Sequence, residues 1–380
     1  MNVPGPSLYD LAPALHVMLM GLTLALGPLA WIWLRRSHRT PADKLAALAR
    51  LLVFLTFDLV LFGAFTRLTD SGLGCPDWPG CYGNASPFGA VHQIAAAQQA
   101  LPTGPVTHAK AWIEMIHRYL ATGIGVLIIT LVLASWRERR RGANVSVGWP
   151  LMTLGWVCLQ GAFGALTVTL KLTPLIVTLH LLGGMVLLAL LVIQARPSAG
   201  HSVEAAANIR RWLTLSSGFV WCQIALGAWV SSNYAVLACS DFPQCQSSWW
   251  PPMNFEEGFT LVRGLGVTAA GENISFQALT AIHFTHRLFA ALVVIALAAL
   301  IWRLRTHEAL ARYARWLAAL MAWQLLSGIS NVVLGWPLVA ALAHTAGAAA
   351  LVVTLTLLAG RLPRAALRNA VGREPMEAVA

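Results

Sequence analysis

Trp112-Ile-Glu114-Met-Ile-His117-Arg118-Tyr-Leu120 brings a glutamate, a histidine and an arginine into the outer end of a long apolar run. Written as a helix, the stretch sets Glu114 and His117 three residues apart on one face. Charge inside hydrocarbon is costly, so such a trio needs a partner: a metal, a cofactor or a substrate. The plainer account is that Glu114 and Arg118, four apart, pair with each other at the interface while His117 is a satisfied core residue. A related stretch, Ile282-His283-Phe-Thr-His286-Arg287-Leu288, recurs later in the chain. Recurrence favours shared chemistry over an isolated ion pair.

The surrounding sequence belongs in a bilayer. Its 380 residues are 57% hydrophobic and 11% charged, the composition of an all-α polytopic membrane protein. Apolar runs predict nine spanning helices, over 11–34, 46–67, 111–135, 148–170, 173–194, 212–232, 277–302, 312–334 and 337–360. The first has no basic n-region and ends in Arg35-Arg36, which marks a spanning helix and not a signal peptide. The formal charge of +11 sits in short clusters beside the apolar runs, a topological pattern and not a nucleic-acid-binding stripe. One loop holds Arg35, Arg36, Arg39, Lys44 and Arg50, and the next on that side Arg137, Arg139, Arg140 and Arg141. Arg196, Arg210 and Arg211 follow, then Arg303, Arg305, Arg312 and Arg315, then the tail with Arg361, Arg364, Arg368 and Arg373. Twenty of the 26 basic residues thus share one face. That face is expected in the cytoplasm, which puts the N-terminus and the cysteine loops outside the cell's inner membrane and the C-terminus inside.

From residue 46 the chain reads as two related halves. Gly63-Ala-Phe and Cys75-Pro-Asp-Trp-Pro-Gly-Cys81 reappear as Gly227-Ala-Trp and Cys239-Ser-Asp-Phe-Pro-Gln-Cys245, a displacement of 164 residues. Gln160 and Gln324 keep that displacement, as do His180 and His344, while His117 and His286 lie 169 apart. Each half contributes four spans, an even number, so both enter from the same side and the repeat is parallel. The expected architecture is two pseudo-symmetric four-helix bundles plus one extra N-terminal transmembrane helix. Its divisions are 1–45 for that helix and a linker, 46–196 and 212–362 for the bundles, 197–211 for a cytoplasmic linker and 363–380 for a cytoplasmic tail.

Each half offers two histidines: His117 and His180, then His286 and His344. They lie six to nine residues inside the predicted outer helix edges, a common depth of roughly 9–14 Å. Two facing imidazoles at one depth make a bis-histidine haem site, whereas zinc wants further ligands. Small residues one turn on (Ala121, Ala290, Gly184 and Gly347) leave room for a flat macrocycle, as they also do in plain helix packing. Arg118 and Arg287 follow the histidines and suit either haem propionates or an interfacial anchor. His283 stands where the first half has Glu114. One half therefore keeps an acid beside its ligand, as a reaction site would.

Cys75/Cys81 and Cys239/Cys245 fall in the outer loops, an oxidising compartment where two structural disulfides are expected. A redox-active Cys75/Cys81 pair is the sharper alternative. Cys158 and Cys222 read as inert small hydrophobes within helices. The long loops 68–110 and 233–276 read as caps, Trp249-Trp250 as part of an interfacial belt, His16 as a polar contact, and His92 and His108 as solvated.

Thr66-Arg67-Leu68-Thr69 running into Ser71-Gly72-Leu73 and the first cysteine motif, then Glu114-x-x-His117-Arg118, His180, the second cysteine loop, His286-Arg287 and His344, resemble the haem A synthase family over about 46–360. The helix at 11–34 departs from that family's eight-span core. The resemblance implies oxidation of the C8 methyl of haem O to a formyl group. It implies a resident haem b on His286 and His344, substrate haem O between His117 and His180, and Glu114 as the catalytic acid or base. A haem O producer and a terminal oxidase are the partners it implies, together with membrane lipid. The rivals are a quinol-linked di-haem electron carrier, which leaves Glu114 and its asymmetry with His283 idle, and a non-enzymatic haem transporter or chaperone, which the repeat suggests.

Overall fold

The computed structural model describes residues 12–35, 40–196 and 207–362. Arg36, Arg39, Arg364, Arg368, Arg373, most of the 197–211 linker and the 363–380 tail lie outside the described residues. Within them nine helices are long and apolar enough to cross a membrane. These are α1 (Ala12–Arg35), α2 (Pro41–Leu68), α4 (His108–Arg140), α5 (Gly148–Thr169), α6 (Pro174–Ala195), α7 (Ala207–Ser232), α9 (Phe276–Leu304), α10 (Glu308–Val333) and α11 (Leu338–Ala359). Two short helices, α3 (Val91–Ala100) and α8 (Phe255–Gly258), lie in the loops that carry the cysteine pairs. Isolated β-bridges are the extended pairing seen among the described residues.

Several helices run past their apolar stretches. α2 begins at Pro41, where the Thr40 hydroxyl accepts the Asp43 N–H, so a domain boundary at 45/46 would cut through a helix. α4 starts on a Thr107 cap and ends among Arg137, Arg139 and Arg140, cations that suit the negative end of the helix dipole. Residues from Ala207 to Arg211 are helical too, which shortens the predicted linker. Hydropathy marks residence in hydrocarbon, while a helix continues as long as its backbone bonds and caps allow.

α2, α4, α5 and α6 each pack against the next and close a ring; α7, α9, α10 and α11 do the same. The rings meet through α6–α7, α2–α11 and α6–α11. Exchanging α2 with α7 and α6 with α11 maps this interface onto itself, as in an isologous dimer. The offset of 164 is also written into the backbone. Left-handed residues pair as Asp70 with Tyr234, Tyr82 with Gln246, Gly83 with Ser247, Lys171 with Gly335 and Leu172 with Trp336. These pairs include each non-glycine residue with positive φ among the described residues.

The end of the interface nearer the cysteine loops joins counterparts directly. Arg67 donates to the Ser231 carbonyl at 2.6 Å, and the Tyr234 hydroxyl donates to Asp70 at 2.5 Å. The Arg67 guanidinium lies 3.7 Å from the Tyr234 ring centroid. α1 packs on α4 and α2, outside both rings. It approaches α4 closely at Gly21, where an added Cβ would fall 2.6 Å from Thr122; small residues permit such contact. Its Val17 shares a buried cluster with Cys75 and Cys81.

Candidate functional site

α4 and α6 make no direct contact, and each packs against α2 and α5. They are opposite corners of the first ring, and α9 and α11 are opposite corners of the second. His117 and His180 therefore come from opposed helices, as do His286 and His344. The helices between them supply glycines at the imidazoles. A Cβ built on Gly63 of α2 would lie 3.1 Å from His117 Cε1, and one on Gly227 of α7 would lie 3.0 Å from His286 Cε1. On α5 and α10, Gly164 and Gly328 stand in the same relation to His180 and His344, at 3.5 and 3.3 Å. Both glycine pairs are displaced by 164 residues. Each ring is seated by a neighbour that has no side chain to displace it.

The room predicted one turn along the same helices serves other contacts. Gly184 lies against Val60, and Gly347 admits Trp323 and Gln324. The seat glycines were within reach of the sequence, because each pair recurs at the repeat offset.

The hydrogen bonds of the two halves differ. His117 Nδ1 and His180 Nδ1 are buried without a partner. The amide nitrogen of Gln223 lies 3.1 Å from His286 Nδ1 and 3.3 Å from its Nε2. Ser327 Oγ lies 3.0 Å from His344 Nδ1. At the offset of 164, Gln223 and Ser327 correspond to Leu59 and Phe163, neither of which can hydrogen-bond through its side chain. Phe62 lies parallel to His117 instead, with ring centroids 6.1 Å apart.

Glu114 and His283 occupy equivalent places, each against its cysteine loop. Both are 4% exposed. Cys75 N–H donates to Glu114 Oε2 at 2.9 Å, and the Cys239 amide nitrogen lies 3.4 Å from His283 Nδ1. Arg118 pairs with Glu114 and donates to the carbonyls of Asp77, Pro79 and Gly80. Arg287 donates to His283 Nε2 at 3.2 Å and to the carbonyls of Cys239, Asp241 and Gln244. Each arginine thus clamps a cysteine loop to its helix. Taking one partner from a buried pair such as Glu114–Arg118 costs ~3–5 kcal/mol.

The loops have a common build. Cys75–Cys81 and Cys239–Cys245 are disulfide-bonded. Cys81 pairs with Asn84 and Cys245 with Ser248 across two left-handed residues, a type I′ turn. Asp77 accepts the N–H groups of Tyr82 and Gly83; Asp241 accepts those of Gln246 and Ser247. The Ser247 N–H, then that of Gln246, hold the Asp241 carboxyl below its ordinary value, with Arg287 nearby adding to the effect.

The remaining sequence candidates lie apart from the paired imidazoles. His16 bonds the Ala12 carbonyl, His92 is exposed, and His108 opens α4 half-buried. Cys158 and Cys222 are free thiols exposed on α5 and α7. Trp249 and Trp250 are exposed, and Trp250 sets its edge on Phe284.

Imidazole pairs on opposed helices, each ring against a glycine, would suit an iron porphyrin held between them better than a compact metal cage. Among the described residues, no three His, Cys, Asp or Glu gather as such a cage. Fold and site together define a duplicated α-helical membrane protein with one imidazole pair per half. The chain belongs to the COX15-CtaA family, described as cytochrome oxidase assembly protein, whose match covers residues 46–356. α1 precedes the matched region. A relative from Shewanella oneidensis, named heme A synthase, is 37% identical over 83% of this chain and 96% of its own length. Heme A synthases of Methylorubrum extorquens strain PA1 and Halalkalibacterium halodurans are 30% and 26% identical. Those alignments cover 86% and 80% of this chain, and 89% and 93% of the relatives.

Proposed function

We propose that this protein is a haem A synthase of the cell's inner membrane, converting haem O to haem A by oxidising the C8 methyl to a formyl group. The observation that carries the reading is the duplicated imidazole pair, seated on glycines in both halves and oriented by hydrogen bonds in only one. Family membership and the relatives' names support the same reaction. The half spanning 46–196 takes haem O between His117 and His180. The half spanning 212–362 holds a resident haem b through His286 and His344. The N-terminus and cysteine loops face outward, and the basic loops and C-terminus face the cytoplasm. A haem O producer must supply the substrate, and a terminal oxidase consumes the product.

The bound haem supplies redox chemistry that amino-acid side chains lack. The chain's own residues supply position and field. His117 and His180 orient the substrate, and the α2 and α5 glycines keep their rings in place. Glu114 is the proton-handling or charge-stabilising group, where the other half has the neutral donor-acceptor His283. Because the same carboxylate tethers Cys75, replacement by glutamine is the informative change: it keeps the shape and an acceptor while removing the charge.

Incubation of the purified protein with haem O and an electron acceptor, followed by haem extraction and mass analysis, tests the reading. The formyl product is expected. Haem O recovered unchanged would overturn the assignment in favour of a carrier or transporter. Glu114→Gln should bind haem O yet lower haem A yield by about 10²–10⁴-fold, the usual worth of a positioned acid or base. Full yield from that variant would remove Glu114 from the mechanism.

A further inference from the structure

His344 differs from the other three histidines in how its tautomer is chosen. Ser327 has one hydroxyl proton, and its Oγ lies 2.7 Å from the Trp323 carbonyl, one turn back on α10. A carbonyl can only accept, so that proton is committed there. Towards His344 Nδ1, at 3.0 Å, the oxygen is left to accept. With the hydroxyl turned to the nearer carbonyl, Nδ1 carries the hydrogen and Nε2 keeps the lone pair. The same hydroxyl also seats the ring, because Ser327 adjoins Gly328, the residue that faces His344 Cε1.

The other rings lack this arrangement. Gln223 sets its amide within 3.3 Å of both His286 nitrogens and also donates to the His286 carbonyl, so it favours neither tautomer. His117 and His180 have buried Nδ1 atoms with no partner. Phe163 occupies the place of Ser327 in the first half.

We infer that Ser327 is a positioning residue that presets His344 as a metal-ready ligand, and that Phe163 withholds the same bond from His180 so that the first half releases its porphyrin readily. This rests on the two-site reading above. A ligating imidazole whose second nitrogen donates to a fixed acceptor is a stronger, better-oriented base. One half then keeps what it binds and the other exchanges it. Residence and turnover are divided between two copies of one module by a single hydroxyl and the ring that replaces it.

The test uses the full-length protein purified with its haem. Two properties are read: the midpoint potential of the bound haem, and its rate of transfer to excess apomyoglobin. Ser327→Ala should shift the potential to more positive values and speed transfer about 10–100-fold, the usual effect of losing such an outer partner. Ser327→Thr, which keeps the hydroxyl, should restore both. In the other half, Phe163→Ser should slow the transfer of added haem without moving the potential of the resident one. Unchanged potential and release in Ser327→Ala would overturn the inference, as would equal haem loss from the alanine and threonine variants. Wild-type protein purified without haem would overturn the two-site reading itself, and this proposal with it.

Discussion

The two halves share a helix order and a loop build, and around their paired imidazoles a few side chains set them apart. Both clamp a disulfide loop onto a helix with an arginine, and both seat two imidazoles against glycines. The first half has Glu114, Leu59 and Phe163 where the second has His283, Gln223 and Ser327. On the function proposed above, the scaffold places two imidazoles across a ring, and the polar groups around them decide whether the occupant stays or reacts. A disulfide loop present in both halves is an element of construction. The acid present in one is, on the proposed function, an element of chemistry.

The largest effect should come from breaking one half at its ligand. His286→Ala should strip the resident haem from the purified protein, read in the optical spectrum, while His117→Ala leaves it in place. Equal loss from both variants would erase the distinction drawn here. A smaller effect should come from the seats. In Gly227→Ala the new Cβ falls 3.0 Å from His286 Cε1, tighter than ordinary contact, whereas in Gly164→Ala it falls 3.5 Å from His180. The first change should cost about 1–3 kcal/mol by overpacking and lower haem content. The second should be nearly silent in thermal melting and haem content alike. Alanine tolerated equally at both positions would show that the rings are not seated as described.

The smallest effect concerns the second cysteine loop. Asp241 is held below its ordinary value by the Ser247 and Gln246 N–H groups. A depressed carboxyl stabilises the folded loop above the unfolded carboxyl's value of about 3.9, and that contribution is lost as pH falls through the lower folded value. Exchange of the Gln246 and Ser247 amides, corrected for intrinsic rate, should stay protected from pH 8 to 5 and open only below about pH 4. Asp241→Asn should remove that acid dependence. Protection already lost by pH 6 would refute the anchoring role of this carboxylate.

The spans and the repeat were legible because both are one-dimensional signals. An apolar run of spanning length and a fixed offset need no knowledge of packing. The helix ends were less so, since capped and charged turns such as Thr40–Asp43 and Arg137–Arg140 extend helices beyond their apolar stretches. The Glu114–Arg118 pair could be read from its spacing of four, but the loop partners of Arg118 and Arg287 were out of reach: those acceptors are backbone carbonyls of a folded loop, which carry no residue signature. The glycine seats lay in between. Gly63 with Gly227 and Gly164 with Gly328 stand at the repeat offset, yet that they face imidazoles depends on how neighbouring helices turn. The exchange of Leu59 for Gln223 and Phe163 for Ser327 can be read by subtracting one half from the other. Its meaning needs the distance from Ser327 to His344.

The self-complementary contact of α2, α6, α7 and α11 has an evolutionary corollary. Two separate copies of a single module could dock through that surface, but in a pair of identical chains every residue occurs twice. A carboxylate on one side would be a carboxylate on both, and a hydroxyl could not be granted to one ligand and denied to the other. Joining the copies into one polypeptide lets mutations fall on each independently, so a storage site and a working site can diverge while the surface that unites them is kept.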